Sequence, residues 1–147
     1  MLVRDVMQSN VVTVACHAPV SEAAALMSRY RIRHLPVVSG ARLVGLISDR
    51  DLKASAASLG VESRASRVAT ACEVTAGDLI RPGVVSVAPT ATAEHAAELL
   101  AQHRIGSLPV VEGDELVGIV TATDLLALFA RAARGGEDEP RQSQEHR

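Results

Sequence analysis

Hydrophobic and polar positions along the chain fall into short blocks, and the order of those blocks occurs twice. VVTVA, Val11 to Ala15, is a β-branched run bounded by turn residues and predicts a strand. Val20, Ala23, Ala24 and Met27 then keep the i, i+3, i+4, i+7 spacing of a buried helical face. The alanines there would let the helix lie close to a neighbour. LPVV from Leu35 and LVGLI from Leu43 are apolar runs of strand length joined by SGAR. Gly40 sits in that joint, where a tight hairpin favours a positive φ. Polar residues return at Ser48, Asp49, Arg50 and Asp51, and the Leu and Ala that follow predict a second helix starting near Asp51.

Aligning Val11–Leu52 with Val84–Leu125 needs no gap and makes 20 of 42 positions identical. Ala93, Ala96, Ala97 and Leu100 repeat the helical stripe, Gly113 repeats Gly40, Asp124 repeats Asp51, and Asp78 repeats Asp5. Agreement of this extent at one offset marks a duplication. Each copy reads strand, helix, strand, strand, helix. One copy cannot cover both faces of so small a sheet, so the two are expected to pack together about a pseudo-two-fold axis. The expected boundaries are 1–56 for the first repeat, 57–75 for a connecting segment and 76–134 for the second repeat. Residues 135–147, GGEDEPRQSQEHR, are too polar to join a core and are expected to be a disordered tail.

A chain of 147 residues with 48% hydrophobic and 1% aromatic content must build its core from Val, Leu, Ile and Ala. No apolar run reaches the ~18 residues of a membrane span. The start, MLVRDVMQSN, lacks a secretion signal, so a cytoplasmic, non-membrane protein is expected. Net charge of −2 argues against a nucleic-acid partner. Cys16 and Cys72 form no CxxC pattern and read as ordinary thiols. His17, His95 and His103 lack metal-ligand spacing, and Met7 and Met27 read as core. Val3–Ser55 carries seven basic against four acidic residues, and Ala76–Leu128 two against seven. The first half therefore offers more cations to an anionic ligand, although two ordinary solvated surfaces would show the same contrast.

Four matched features carry a family resemblance: DVM at Asp5–Met7, VVTV with VVSV, RIRHLPVV with RIGSLPVV, and GLISDRD (Gly45–Asp51) with GIVTATD (Gly118–Asp124). Through them the chain resembles a tandem pair of CBS domains, modules named after cystathionine β-synthase, over about residues 1–133. The resemblance implies an α+β fold in which two β-α-β-β-α repeats pack as an intramolecular pseudo-two-fold pair, a Bateman module. It implies two clefts that take adenosine compounds as regulatory ligands: AMP, ADP, ATP, S-adenosylmethionine or NAD-type dinucleotides. No required cofactor and no metal are implied, and no catalytic residues. A homodimer of pairs and an unidentified protein partner are expected. The alternative is a structural dimerisation or assembly module with unoccupied clefts.

Carried over to this sequence, the resemblance assigns Thr13, Ile32, Arg33 and His34 to one cleft with Thr121 and Asp124. It assigns Ser86, Ile105, Gly106 and Ser107 to the other with Ser48, Arg50 and Asp51. Val12, Pro36, Val85 and Pro109 would touch an adenine ring. A carboxylate at Asp51 or Asp124 suits a ribose, because it can accept from two adjacent hydroxyls. The Ser48 or Thr121 hydroxyl three residues earlier can donate to a ribose or phosphate oxygen. Ser-x-x-Asp and Thr-x-x-Asp are equally the signature of a helix cap, and both readings stand at this point. Arg33 and His34 have Gly106 and Ser107 as counterparts, so a phosphate-rich ligand is expected in the Arg33/His34 cleft.

Overall fold

The repeat organises the backbone of the protein, studied as a computed structural model that describes residues 1–58, 74–80 and 83–135, without the side chains of 56–58. The 57–75 connection, the polar tail beyond residue 135 and Cys72 thus fall almost wholly outside the described residues. The first copy comprises α1 (Val3–Val6), β1 (Val14–Ala15), α2 (Val20–Tyr30), β2 (His34–Ser39), β3 (Arg42–Ser48) and α3 (Asp49–Ser58). The second comprises α4 (Ala76–Leu79), α5 (Ala93–His103), β4 (Ser107–Glu112), β5 (Glu115–Thr121) and α6 (Ala122–Gly135).

The β2–β3 and β4–β5 hairpins pair in the same register, from His34↔Ser48 to Ser39↔Arg42 and from Ser107↔Thr121 to Glu112↔Glu115. Their turns place Gly40 at φ 62° and Gly113 at φ 64°, the left-handed region that a side chain resists. The hairpins meet edge to edge through Arg42↔Glu115, giving one five-stranded sheet in the order β1-β2-β3-β5-β4.

The VVTVA and VVSVA runs are shorter as strands than their sequence suggests. Only Val14 and Ala15 pair with β2, and only Val87 bridges to Val110. Proline supplies the reason. Register places Pro36 and Pro109 next along the partner strands, and proline has no N–H to extend a parallel ladder.

The helical stripe is also narrower than expected. Ala23, Met27, Ala93, Ala96 and Leu100 are buried, whereas Ala24 and Ala97 are exposed. Leu26 and Leu99 pack against the cores in their place, so both helices are rolled toward their i+6 position.

Two apolar clusters form, and they exchange their leading helices. Val14, Ala23, Met27, Leu35, Val37 and Ile47 of the first copy close over Ala76 of the second. Val87, Ala96, Leu100, Leu108, Val110 and Val120 close over Val3 of the first. The straps are held by matched hydrogen bonds: Val3 N donates to Ala91 O at 2.8 Å, and Ala76 N to Ala18 O at 2.8 Å. Gly45 and Gly118 make room for them. A Cβ on Gly45 would lie 2.5 Å from Ile80 Cβ, and one on Gly118 2.5 Å from Met7 Sδ. The boundaries 1–56 and 76–134 therefore mark sequence copies, not self-contained cores.

Candidate functional site

Several of the candidate polar groups stand at the end of β3, and local chemistry fixes them. Ser48 Oγ accepts from Asp51 N at 3.0 Å while Asp51 Oδ2 accepts from Ser48 N at 3.1 Å. Thr121 and Asp124 repeat this reciprocal cap at 3.1 and 3.0 Å. Such a capping box satisfies two of the free amides at a helix start and holds each carboxylate where strand turns into helix. Asp124 has a further partner, since its Oδ1 accepts from Gln8 Nε2 at 3.3 Å. The capping reading is thus a fact of the fold at both positions, and it is compatible with a carboxylate that also faces a cavity.

A cavity of about 850 Å³ lies at Asp51. Ser48, Asp49 and Arg50 line it from the β3–α3 junction, with Lys53 one turn further on. Arg33 and His34 enter from the segment leading into β2, and Leu46 from β3 itself. The second repeat supplies the opposite wall: Val84 and Val85 from its first apolar run, and Arg104, Ile105, Gly106 and Ser107 from the α5–β4 junction. The volume suits a small-molecule site. Apolar flanks and convergent polar ends give it the character needed to seat a flat ring beside a hydrophilic tail.

The site's electrostatics are unevenly balanced. Asp49 pairs with Lys53 at 3.1 Å, and Asp51 accepts from its cap. Arg33, Arg50 and Arg104 make no ion pair with any described residue. Burial holds the His34 imidazole below its ordinary pKa; Asp51 pulls upward and Arg33 adds to the lowering. His34 is therefore neutral near pH 7. Ser107 is 2% exposed and its hydroxyl finds no hydrogen-bond partner. A buried hydroxyl in that state costs free energy.

Eight of the thirteen residues singled out in the sequence meet at this cavity: Arg33, His34, Ser48, Arg50 and Asp51, with Ile105, Gly106 and Ser107 opposite. Ser86 lines a neighbouring cavity of about 430 Å³ with Leu43, Ile80 and Asp114. Ile32 packs against the first core, and Thr13 is half-buried beside the short β1. Thr121 and Asp124 line neither of these two cavities.

One expectation needs correction. Arg33 and His34 were assigned to the Asp124 cleft, leaving Arg50 as the nearest cation at Asp51, yet both line the Asp51 cavity. The hairpin supplies the reason, since His34 pairs with Ser48 and Asp49 N donates to Arg33 O at 2.8 Å; the segments before β2 and β4 also face each other. A Cβ on Gly106 would lie 3.4 Å from His34 Cε1.

Arg104 and Lys53 are cavity residues that sequence reasoning missed. A signal for Arg104 existed: α5 ends on an arginine where a glycine commonly stands. Among the described residues no group of three or more His, Cys, Asp or Glu is placed to hold a metal, and no helix is long and apolar enough to cross a membrane.

Comparison with known proteins follows the same outline. The profile of the CBS domain matches residues 3–57 and 76–131. The CBS domain-containing protein YhcV of Bacillus subtilis is 32% identical over 123 residues, 84% of this chain and 81% of that protein. An inosine-5'-monophosphate dehydrogenase of Korarchaeum cryptofilum is 35% identical over 118 residues, 79% of this chain but 22% of the enzyme, so the likeness leaves out most of the dehydrogenase. Among solved structures, AcuB of Vibrio cholerae superposes with a TM-score of 0.76 at 32% identity, covering 95% of this chain and 98% of that one. CBSX2, a CBS-pair protein of Arabidopsis thaliana, gives 0.76 at 28% identity in a complex with AMP, covering 90% and 98%. The CBS domain pair of protein MJ0100, in complex with 5'-methylthioadenosine and S-adenosyl-L-methionine, gives 0.74 at 26%, covering 90% and 98%.

Proposed function

The chain belongs to the CBS domain family, and on that footing we propose that it is a non-catalytic regulatory module that takes an adenosine-containing ligand into the cavity at Asp51. The observation that carries this reading is the cavity's composition. Both repeats wall it, a helix-capping carboxylate stands at one end, and Val84, Val85 and Ile105 form an apolar flank. The ligand class is drawn from the AMP complex of CBSX2 and the S-adenosylmethionine complex of MJ0100. Asp51 receives the ribose hydroxyls, and the Ser107 hydroxyl gains a partner it lacks within the protein.

The hairpins of the two repeats share the single register pair Arg42↔Glu115. A ligand held between them therefore biases their relative angle, and a protein partner reads that change as a difference in affinity. The module acts in the cytoplasm as a homodimer. Leu126 and Phe129 are 68% and 73% exposed on α6, a face apolar enough to call for a second copy. That same face favours a second reading, an assembly module with empty clefts.

Thermal melting with AMP, ATP, NADH and S-adenosylmethionine separates the two. A ligand at 100 times its Kd stabilises by about 2.7 kcal/mol. A clear rise with at least one compound is expected. No rise with any of them refutes the sensor reading and leaves assembly.

A further inference from the structure

The geometry points to a cleft that selects adenosine nucleotides carrying two or more phosphates, with Arg104 as the specificity-determining residue. This rests on the adenosine-ligand reading above and narrows its chemical class.

Three arginines line one concave site from three separate elements: Arg33 before β2, Arg50 in the first turn of α3, and Arg104 at the end of α5. None has an ion-pair partner among the described residues, while Asp49 is occupied by Lys53 and Asp51 by its cap. The unanswered charge in the cavity is therefore positive. A concave site lined by charge of one sign raises the local concentration of an anion. Guanidinium groups on facing walls also match phosphate oxygens geometrically. S-adenosylmethionine or an uncharged nucleoside leaves them unanswered, and a single phosphate cannot easily span both walls. Ser107, on the wall of Arg104, carries a buried hydroxyl without a hydrogen-bond partner.

Arg104 closes α5 as its C-cap at φ 52°, ψ 47°, the left-handed conformation in which helices commonly end. The duplication supplies a control. Arg31 caps α2 with φ 53°, ψ 44° and is not among the residues lining the cavity.

Calorimetric titration of the full chain with adenosine, AMP, ADP, ATP and S-adenosylmethionine tests the idea on wild type, Arg104→Gly and Arg31→Gly. In wild type, ADP or ATP is expected to bind at least tenfold tighter than adenosine and S-adenosylmethionine, with the advantage shrinking as salt is raised. Arg104→Gly should erase that advantage and melt no lower than wild type, because glycine accepts the left-handed backbone. Arg31→Gly should keep the preference. Equal affinities across the series, or a preference that survives Arg104→Gly, overturn the inference while leaving the adenosine reading intact. Binding of none of the five compounds overturns both.

Discussion

Replacing Asp51 and Asp124 by alanine, one at a time, separates two jobs that the same side chain performs. Each carboxylate accepts one main-chain N–H, at 3.1 Å for Asp51 and 3.0 Å for Asp124, and each is partnered by a hydroxyl cap. Losing one such cap costs about 1 kcal/mol. For a chain of this size that is a fall of about 3 °C in Tm. Asp124→Ala also loses the Gln8 contact at 3.3 Å, an exposed bond that adds little. Both variants should therefore fold and melt slightly below wild type.

Ligand affinity divides them. If Asp51 holds both ribose hydroxyls, two charge-assisted hydrogen bonds disappear with it. At about 1.5 kcal/mol each, the loss is roughly 3 kcal/mol, or somewhat over a hundredfold in Kd. Asp124, which is not among the cavity residues, should leave binding there within a factor of about two. Apo melting curves and nucleotide titrations on the two variants provide the measurement. An Asp51→Ala protein with the small drop in Tm but near-wild-type affinity would show that its carboxylate is a helix cap and nothing more.

Gly45→Ala should destabilise by about 1–3 kcal/mol, because the new Cβ meets the stiff root of Ile80 at 2.5 Å; a denaturant midpoint unchanged from wild type would contradict the strap packing. Ser107→Ala should leave apo stability equal or higher, since it removes a buried hydroxyl without a partner, and should weaken nucleotide binding; a clear loss of apo stability would mean the hydroxyl is satisfied inside the fold. His34 has its pKa lowered on folding, by burial first, with Arg33 adding to the effect and Asp51 opposing it. The unfolded chain then binds more protons below about pH 6.5, so stability should fall as pH drops from there toward the lower folded pKa and stay flat above. His34→Gln should remove that part of the slope, and identical Tm-against-pH curves for the two proteins would argue against a desolvated imidazole.

The sequence by itself determined the duplication, the two hairpins and the longer helices around them, but neither the short helices α1 and α4 nor the true length of the first apolar runs as strands. Side-chain period and turn chemistry are local, so hairpins with Gly40 and Gly113 at their turns follow from the string alone. The capping boxes at Ser48–Asp51 and Thr121–Asp124 are equally local, needing residues only three apart. Tertiary structure decided how the two copies meet. Pro36 and Pro109 cut short strands that looked longer, an effect visible only once the parallel partner is known. Val3 and Ala76 crossed into each other's cores because each small sheet needs a cover its own copy does not provide. Arg33 and His34 lie beside Asp51 because the β2–β3 hairpin pairs His34 with Ser48, whereas Arg104 belongs to the other copy and joins them only through the way the two copies pack. Which charges share a cavity is a property of distance in space, and spacing along a duplicated chain does not encode it.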